Sequence, residues 1–350
     1  MATEPLAEPA GLQGPAAWEE EAERDRIHGM GPWRLGLRRL RRNKVALFFG
    51  ALFVVLVLSC VGAPIWANKV AHTTWEENHL SDTIEVNGKK TNVVALDGVP
   101  IGPQYFKANG RFFLGADRNG RDVMVRLLYG GRNSLMIGFG AAIITVFLSI
   151  VLGVIAGYFR GWSDSAIRAF LDVLWSFPVI ILAVALGVAL ALGGIKLGPI
   201  TISGDSLAIP VLIIGIVYIP YMARPIRGQV LSLREKEFVE AARAQGAGSL
   251  RIMFSEVVPN LSSTILVFFT LLVANAILLE SSLSFLGAGV RPPNPSWGTM
   301  IDEGIDRIAT APHLTIVPGL MLVLTVLSLN VFGDGVRDAL DPRAKVRLEH

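Results

Sequence analysis

Six long apolar blocks, separated by polar segments, dominate the pattern of hydrophobic and polar positions along this chain. They cover residues 45–67, 134–159, 170–193, 207–223, 261–286 and 314–332. The first block has 23 residues, about 35 Å of helix, which is long enough to cross a hydrocarbon core of about 30 Å. The pattern therefore predicts an all-α integral membrane protein with six transmembrane helices, kinked at Pro178, Pro220 and Pro318.

Composition and cysteine usage narrow the class further. Of the 350 residues, 52% are hydrophobic and 17% are charged, whereas a soluble domain carries about 25% charged residues. The single cysteine, Cys60, lies inside the first block, which excludes an internal disulfide framework and a cysteine-based zinc site. The five histidines are scattered, with no pair at metal-ligand spacing. The sequence thus predicts no metal, no cofactor and no nucleic-acid partner.

The polar segments between the blocks give the predicted domain organisation. An extended loop between spans one and two holds Asn-Gly and Asp-Gly turn signals between β-branched runs, so short strands are expected there. A short helix is expected near residues 18–26 of the N-terminal tail. The predicted domains are a flexible cytoplasmic tail (1–32), a basic lead-in with the first transmembrane helix (33–67), an extracytoplasmic loop (68–133), a five-helix core (134–333) with a cytoplasmic coupling loop (224–260), and a cytoplasmic tail (334–350).

The distribution of Lys and Arg predicts the orientation of the chain. Eighteen of them lie in tails and short loops on the side that holds both termini, against Lys196, Arg291 and Arg307 in the short loops opposite. Because short cytoplasmic loops carry the excess of these residues, both termini are predicted to be cytoplasmic, in the inner membrane. Four more arginines within residues 118–132 precede span two on the outer side. The rule loses force in so long a loop, and their pattern predicts a helix lying along the membrane interface.

The loop between spans four and five carries the most informative pattern. It predicts two short helices, residues 235–245 and 249–256, broken at Gly246. The first is built from strong helix formers, with acidic residues early and Arg243 late, which complements the helix dipole. Gly246 suits the left-handed residue that ends a helix, and Pro259 is placed to start span five.

The second short helix is expected to expose four apolar side chains, and these need a cover. The residues expected to be exposed are Leu250, Ile252, Met253 and Phe254. Ala241 and Ala242 form a face that another protein's backbone can approach closely. The residues alone leave two alternatives open: a second protein covers this surface, or the loop folds back on its own bundle.

The same loop resembles a known family motif. Glu240-Ala241-Ala242, followed after three residues by Gly246 and later by Val258-Pro259, resembles the EAA loop of type I ABC transporter permeases. The resemblance extends over about residues 33–343, to the dipeptide- and oligopeptide-permease C type of the peptide/nickel permease family. The further segments that resemble this family are residues 34–44, 114–123, 172–178, 282–287, 295–298 and 341–343. Two positions depart from the family pattern: Ala116 replaces the usual Thr, and Glu256 stands where this branch often has His.

The resemblance implies a transmembrane permease subunit of an ABC importer that translocates di- or oligopeptides, with nickel chelates and some sugars as alternative substrates. It implies four kinds of partner: a second permease subunit, two ATP-binding subunits that dock on residues 235–256, an extracytoplasmic substrate-binding protein, and membrane lipid. The residues expected to couple to the ATPase are Glu240, Ala241, Ala242, Arg243, Gly246 and Phe254. For Glu240 the alternative is a solvated helix face.

A second family motif has no assigned role. It comprises Gly115, Asp117, Gly120, Arg121 and Asp122. Two interpretations stay open, a structural turn at the outer membrane face or a contact with a binding protein or partner permease.

The sequence also argues against an enzyme. It has no Gly-x4-Gly-Lys-Ser/Thr phosphate loop, so the chain is not expected to hydrolyse ATP itself, and the energy must come from partner chains.

Two rival functions remain, a secondary transporter and a channel or interaction protein. A carrier keeps ionisable residues in the membrane, and the candidates are Asp172, explained by an end cap or a pair with Arg168, and Glu280, which lines a path or bonds to a neighbouring helix. The absence of a detectable inverted repeat argues against a carrier. In a channel or interaction protein, the basic run at 34–44 would be a topology signal that contacts anionic lipid.

Overall fold

The structure, a computed structural model, describes residues 32–86, 89–108 and 110–340. Its helices are α1 (Pro32–Arg42), α2 (Lys44–Val61), α3 (Ala63–Trp66), α4 (Val123–Phe159), α5 (Gly161–Trp175), α6 (Val179–Gly193), α7 (Ala208–Val217), α8 (Ile219–Leu233), α9 (Glu237–Ala244), α10 (Ser249–Ile252), α11 (Val258–Asn260), α12 (Ser262–Phe285), α13 (Trp297–Ile305) and α14 (His313–Leu340). Its strands are β1 (Thr83–Val86), β2 (Lys89–Asn92), β3 (Ile195–Leu197) and β4 (Ile200–Ile202). Single π-helical turns, Ala67–Ala71 and Met253–Val257, follow α3 and α10. The helix predicted near residues 18–26 and the family-like residues 341–343 lie outside the described residues.

Four of these helices, α2, α4, α12 and α14, are long and apolar enough to cross a membrane. Two pairs, α5 with α6 and α7 with α8, meet the same criterion but bend by 86° and 41° at short breaks. The described residues therefore hold four candidate spans, or six if each bent pair is one span. The predicted all-α membrane class is confirmed. Pro178 and Pro220 lie beside the two breaks, whereas Pro318 lies within the unbroken α14.

The helix α4 is longer than the sequence predicted. It begins at Val123 rather than at residue 134 and runs unbroken for 37 residues, so the separate interfacial helix expected for residues 118–132 is wrong. The extra turns are helical because they pack against other elements of the fold. A Cβ atom on Gly131 would lie 2.5 Å from the Cys60 sulfur and 2.6 Å from the Trp297 ring, so only glycine fits at this contact.

The segment between α3 and α4 contains the strands that its turn signals predicted. β1 and β2 pair antiparallel, with Thr83 opposite Asn92, and Ile84 of β1 forms a small apolar cluster with Val93, Phe112 and Ala116. A second hairpin, β3 with β4, joins α6 to α7. It was not predicted, because strands of three residues leave little alternation to detect.

The helix α4 lies at the centre of the bundle and packs most closely on α8. Cβ atoms on Gly153 and Gly157 would lie 2.9 Å from the carbonyl oxygens of Ala223 and Arg227 on α8. Two hydroxyls add inter-helix hydrogen bonds, from Thr145 to the Gly215 carbonyl at 2.9 Å and from Ser149 to the Ile219 carbonyl at 3.0 Å. Small residues and cross-helix hydroxyls are the usual means of holding helices together in a membrane. We therefore treat α4 and α8 as one rigid unit.

Candidate functional site

The candidate site is the segment between α8 and α12, residues 234–260, which we call the interspan loop. Its first helix, α9, carries Glu237 and Glu240 in the first turn and Arg243 in the last, as the helix dipole favours. The helix ends at Ala244, with Gln245 as its C-cap, and the next residue, Gly246, has φ of +82°. The N–H of Gly246 bonds to the Arg243 carbonyl and the N–H of Ala247 to the Ala242 carbonyl, both at 3.0 Å. This pattern is the Schellman motif, so the predicted left-handed helix stop is confirmed.

The second half of the interspan loop is not the single helix that was predicted. α10 stops at Ile252, and a π-helical turn, Met253–Val257, leads into α11, which holds Pro259 near its start. A π turn rotates the following side chains relative to an α-helix, and such turns are frequent at functional sites.

The interspan loop has two faces of opposite character. One is buried in the main apolar core and consists of Val239, Ile252, Met253 and Val257. The other exposes Leu250 and Phe254, at 67% and 69% of their surface. The expected exposure of Ile252 and Met253 is therefore wrong, since these two side chains anchor the loop. The loop folds back on its own bundle and still presents apolar side chains outward.

The predicted coupling residues lie mostly on the outward face. Glu240, Ala241, Arg243, Gly246 and Phe254 are exposed, while Ala242 is partly buried against the core. Along α9 the small side chain of Ala242 thus lets the helix approach the bundle, and its neighbours remain accessible to another protein.

Charged contacts hold the base of the interspan loop against the turn between α4 and α5. Glu235 forms an ion pair with Arg160, and the Arg234 guanidinium donates to the Tyr158 carbonyl. Within α8, Arg227 makes a two-pronged contact with Asp164 of α5. The sequence pattern did not reveal these contacts because the partners are more than sixty residues apart.

Asp172 has a different partner from the one predicted. It pairs with Arg224 of α8 at 2.8 Å, whereas Arg168 lies 3.4 Å from Asp164. The expected pair of Asp172 with Arg168 is therefore wrong. Arg224 is also held over the Trp175 ring, 4.9 Å from its centre, and this stacking places its guanidinium beside Asp172.

The second family motif forms a tight turn in front of α4. Gly115 and Gly120 both have positive φ, of +86° and +73°. A Cβ atom on Gly120 would lie 2.6 Å from the backbone of His79, so the turn is packed directly on the preceding segment. One oxygen of Asp117 accepts from the backbone N–H groups of Asn119 and Arg121, at 2.8 and 2.9 Å. These contacts explain the glycines and Asp117 as parts of a turn.

Four charged side chains, Asp117, Arg121, Arg126 and Glu303, join this turn to α4 and α13, and we call them the ion cluster. Arg121 contacts Asp117 at 2.6 Å and Glu303 at 2.8 Å. Arg126, only 1% exposed, contacts Glu303 at 3.0 Å and Asp117 at 3.4 Å. Glu303 and Arg126 were absent from the predicted site, and no local sequence signal marks their pairing, since they are 177 residues apart.

Asp122 caps α4. One carboxylate oxygen accepts from the Val125 N–H at 3.1 Å and the other from the Phe112 N–H at 2.6 Å. Burial raises the pKa of the Asp122 carboxyl, and these two backbone donors oppose that rise. The residue therefore connects the start of α4 to the backbone at Phe112, ten residues earlier.

Glu280 lies fully buried in α12. Its carboxyl accepts hydrogen bonds from two hydroxyls of the same helix, Ser284 at 2.7 Å and Ser281 at 3.4 Å. The Ser284 hydroxyl in turn accepts from the Val290 N–H at 2.9 Å, so Glu280 is connected through Ser284 to the segment that follows α12. Across the described ranges, no group of three or more His, Cys, Asp or Glu side chains is placed to hold a metal ion.

Two family models match this chain. The "Binding-protein-dependent transport system inner membrane component" matches residues 149–346. The "N-terminal TM domain of oligopeptide transport permease C" matches residues 31–81. Together they cover the first helices, the interspan loop and α14.

Curated relatives match nearly the whole chain. The glutathione transport system permease protein GsiD of Pectobacterium atrosepticum is 36% identical over 314 residues, which are 90% of this chain and 92% of the relative. The dipeptide transport system permease protein DppC of Alkalihalophilus pseudofirmus is 34% identical over 321 residues, 92% of this chain and 93% of the relative.

Solved structures share the fold. One inward-facing form of the MetNI methionine ABC transporter has a TM-score of 0.51 at 18% identity, over 63% of this chain and 98% of that chain. Another form gives 0.50 at 20% identity, over 62% and 97%. The chain therefore belongs to the family of inner membrane components of binding-protein-dependent transport systems, and it is a multi-pass permease of the type I ABC importers.

Proposed function

We propose that this permease carries short peptides across the inner membrane and that separate ATPase subunits, docked on the interspan loop, supply the energy. The observation that carries the proposal is the two-faced interspan loop. Its inner face is fixed in the core through Val239, Ile252, Met253 and Val257, while its outer face leaves Leu250 and Phe254 exposed among the described residues.

The exposed apolar side chains of the interspan loop suit a protein groove. Burying a Leu or Phe side chain contributes about 1.5–3 kcal/mol. Because Leu250 and Phe254 are already about one-third buried, covering the pair would contribute roughly 2–4 kcal/mol. Glu240 and Arg243, on the neighbouring exposed turn, add charged groups at the edge of this patch that help to select the partner.

The substrate class rests on the named relatives. Their transport systems carry glutathione and dipeptides, which supports a short peptide as the substrate here.

The proposed arrangement places both termini and the interspan loop in the cytoplasm, in line with the excess of Lys and Arg on that side. The segment between α3 and α4 lies outside the cell membrane, where a substrate-binding protein delivers the peptide. A second permease subunit pairs with this one, and two ATP-binding subunits dock below, one on residues 235–256 of this chain. The basic helix α1 contacts anionic lipid.

In the proposed mechanism, ATP-driven closure of the ATPases moves the interspan loop and turns the bundle from inward- to outward-facing. Shifting such an equilibrium from 1:99 to 99:1 requires about 5.5 kcal/mol of differential binding. Because the loop is packed into the main core, its displacement acts on the helices directly.

The first test is purification of the tagged chain in mild detergent, with the co-purifying chains identified by mass spectrometry. We expect an ATP-binding subunit and a second permease. Gly246→Pro should abolish both ATPase association and peptide uptake, because proline cannot adopt φ of +82° and lacks the N–H that bonds to Arg243. Gly248→Pro is the matched control, since Gly248 has φ of −70°, which proline adopts.

Glu240→Lys provides a second test of docking. Reversing this exposed charge should abolish ATPase association and uptake but leave membrane insertion intact. Glu237→Lys, on the same turn of α9, is the control for a general effect of charge. Wild-type uptake by both Gly246→Pro and Glu240→Lys would refute the proposal, as would uptake that collapses with a proton uncoupler while ATP is maintained.

A further inference from the structure

Two ion pairs of unequal quality join α5 to α8. Arg227 forms a bidentate ion pair with Asp164, in which Nε donates to Oδ1 at 2.6 Å and Nη2 donates to Oδ2 at 2.8 Å. The Asp164 side chain is 9% exposed. Arg224 contacts Asp172 through one nitrogen at 2.8 Å, and Asp172 is 68% exposed. The first pair fixes distance and angle between the helices, whereas the second is open to water.

The buried pair of Asp164 and Arg227 lies close to the point where the interspan loop joins the helix bundle. Arg227 is in the last two turns of α8, which ends at Leu233, and the loop follows at once. Asp164 is in the first turn of α5, directly after the sharp turn at Arg160 and Gly161, where φ is +58° and +62°. The ion pair of Arg160 with Glu235 of the loop lies at the same junction.

The helix α5 depends on few contacts for its position. Among its fifteen residues, all of them described, Asp164 and Leu171 are the two that are buried. Leu171 packs on Ile219 and Ala223 of α8. By contrast, α4 and α8 meet backbone to backbone at Gly153 and Gly157. A displacement of the loop therefore moves α4 and α8 together, while α5 follows through Leu171 and the Asp164 pair.

We propose that Asp164 and Arg227 are positioning residues that transmit the displacement of the interspan loop to α5 and, across the 86° bend, to α6. The inference rests on the proposed function, since it takes the loop to be the part that the ATPases move. A packed bidentate pair transmits both translation and rotation, because separating it leaves the poorly solvated Asp164 carboxylate with the weaker contact to Arg168, at 3.4 Å. Without the pair, ATP is hydrolysed, but α5 is held to α8 mainly through Leu171 and the exposed Asp172 pair, so α5 and α6 follow the loop less closely.

The test uses the complete transporter in proteoliposomes, with the substrate-binding protein and a dipeptide, and measures peptide taken up per ATP hydrolysed. For Asp164→Asn and for Arg227→Gln we expect this ratio to fall roughly tenfold, within the 5- to 150-fold range of typical coupling between sites, while ATPase association stays at the wild-type level. Because the two residues act as one unit, the double variant should cost no more than either single one. Asp172→Asn, which removes the exposed pair between the same two helices, is the matched control and should leave the ratio within about twofold.

Arg227→Lys separates a positioning role from a general need for charge. Lysine keeps the charge but not the planar fork, so the complex should assemble normally and show an intermediate ratio. The proposal is overturned by a wild-type ratio in Asp164→Asn, by an equal fall in Asp172→Asn, or by parallel losses of assembly, ATPase and uptake in Arg227→Lys. If the wild-type chain itself recruits no ATPase subunit, the proposed function fails instead.

Discussion

The interspan loop and the ion cluster are both places where distant parts of this chain meet, but they are completed in different ways. In the ion cluster, Asp117 and Glu303 meet Arg121 and Arg126 within 2.6–3.4 Å, and the four side chains are at most 14% exposed. In the interspan loop the inner face is packed and the outer face is apolar and exposed. The ion cluster joins charged groups of this chain to one another, whereas the loop presents apolar side chains that the described residues leave exposed.

The contrast between these two regions bears on the unassigned motif around residues 115–122. Its glycines and Asp117 have full local explanations in the turn and in the ion cluster. We therefore favour the interpretation that this motif fixes α13 against α4. The proposed docking partner would account for the exposed face of the interspan loop, whereas the motif needs no partner to account for its residues.

The largest expected effect comes from breaking the ion cluster. Arg126→Met leaves Glu303 and Asp117 near each other with less compensation, and removing one partner of a buried pair typically costs about 3–5 kcal/mol. We expect a clear drop in the melting temperature of the purified chain and poor insertion. Arg132→Met is the control, because Arg132 is an exposed arginine on the same helix and should cost below about 0.5 kcal/mol. Equal melting temperatures for the two variants would contradict the described joint.

An effect of intermediate size is expected when a glycine with positive φ is replaced by alanine, and its cost in stability can be compared between the two regions. In Gly120→Ala the new Cβ meets the His79 backbone at 2.6 Å, so steric overlap adds to the left-handed penalty, for a total of about 2–4 kcal/mol. In Gly246→Ala the Cβ meets nothing within 4 Å, so only the left-handed penalty of about 1–2 kcal/mol remains. Chemical unfolding in detergent compares the two costs. A larger loss for Gly246→Ala would mean that the loop is packed more tightly than described.

Local features of the fold were predictable from the sequence, and long-range pairings were not. The apolar blocks and the stop at Gly246 depend on nearby residues, so hydropathy and turn chemistry identify them. The start of α4 was misplaced because Gly131 and Arg126 read as a polar break, although Trp297 and Glu303 from the other end of the chain accommodate them.

Contacts between residues far apart in the sequence also decide which side of a helix faces the core and which residue a charged side chain pairs with. Asp172 was assigned to Arg168 by helical spacing, yet α8 brings Arg224 closer. Of the four apolar side chains at positions 250 and 252–254, the exposure of Leu250 and Phe254 was predicted correctly. Which of these side chains face inward was not, because the π turn and the neighbouring core set that rotation.

The smallest expected effect on stability comes from a substitution on the exposed face of the interspan loop. Comparing it with a substitution on the buried face distinguishes a role in docking from a role in the core. Phe254→Ser removes an exposed ring, so the free energy of unfolding of the isolated chain should change by less than about 0.5 kcal/mol. The same change should weaken ATPase association, since the ring is part of the uncovered patch. Ile252→Ala, two residues away and buried, should cost about 2–4 kcal/mol of stability. If Phe254→Ser instead destabilised the isolated chain and left ATPase association intact, its ring would be serving this chain's own core, and the loop would be as self-contained as the ion cluster.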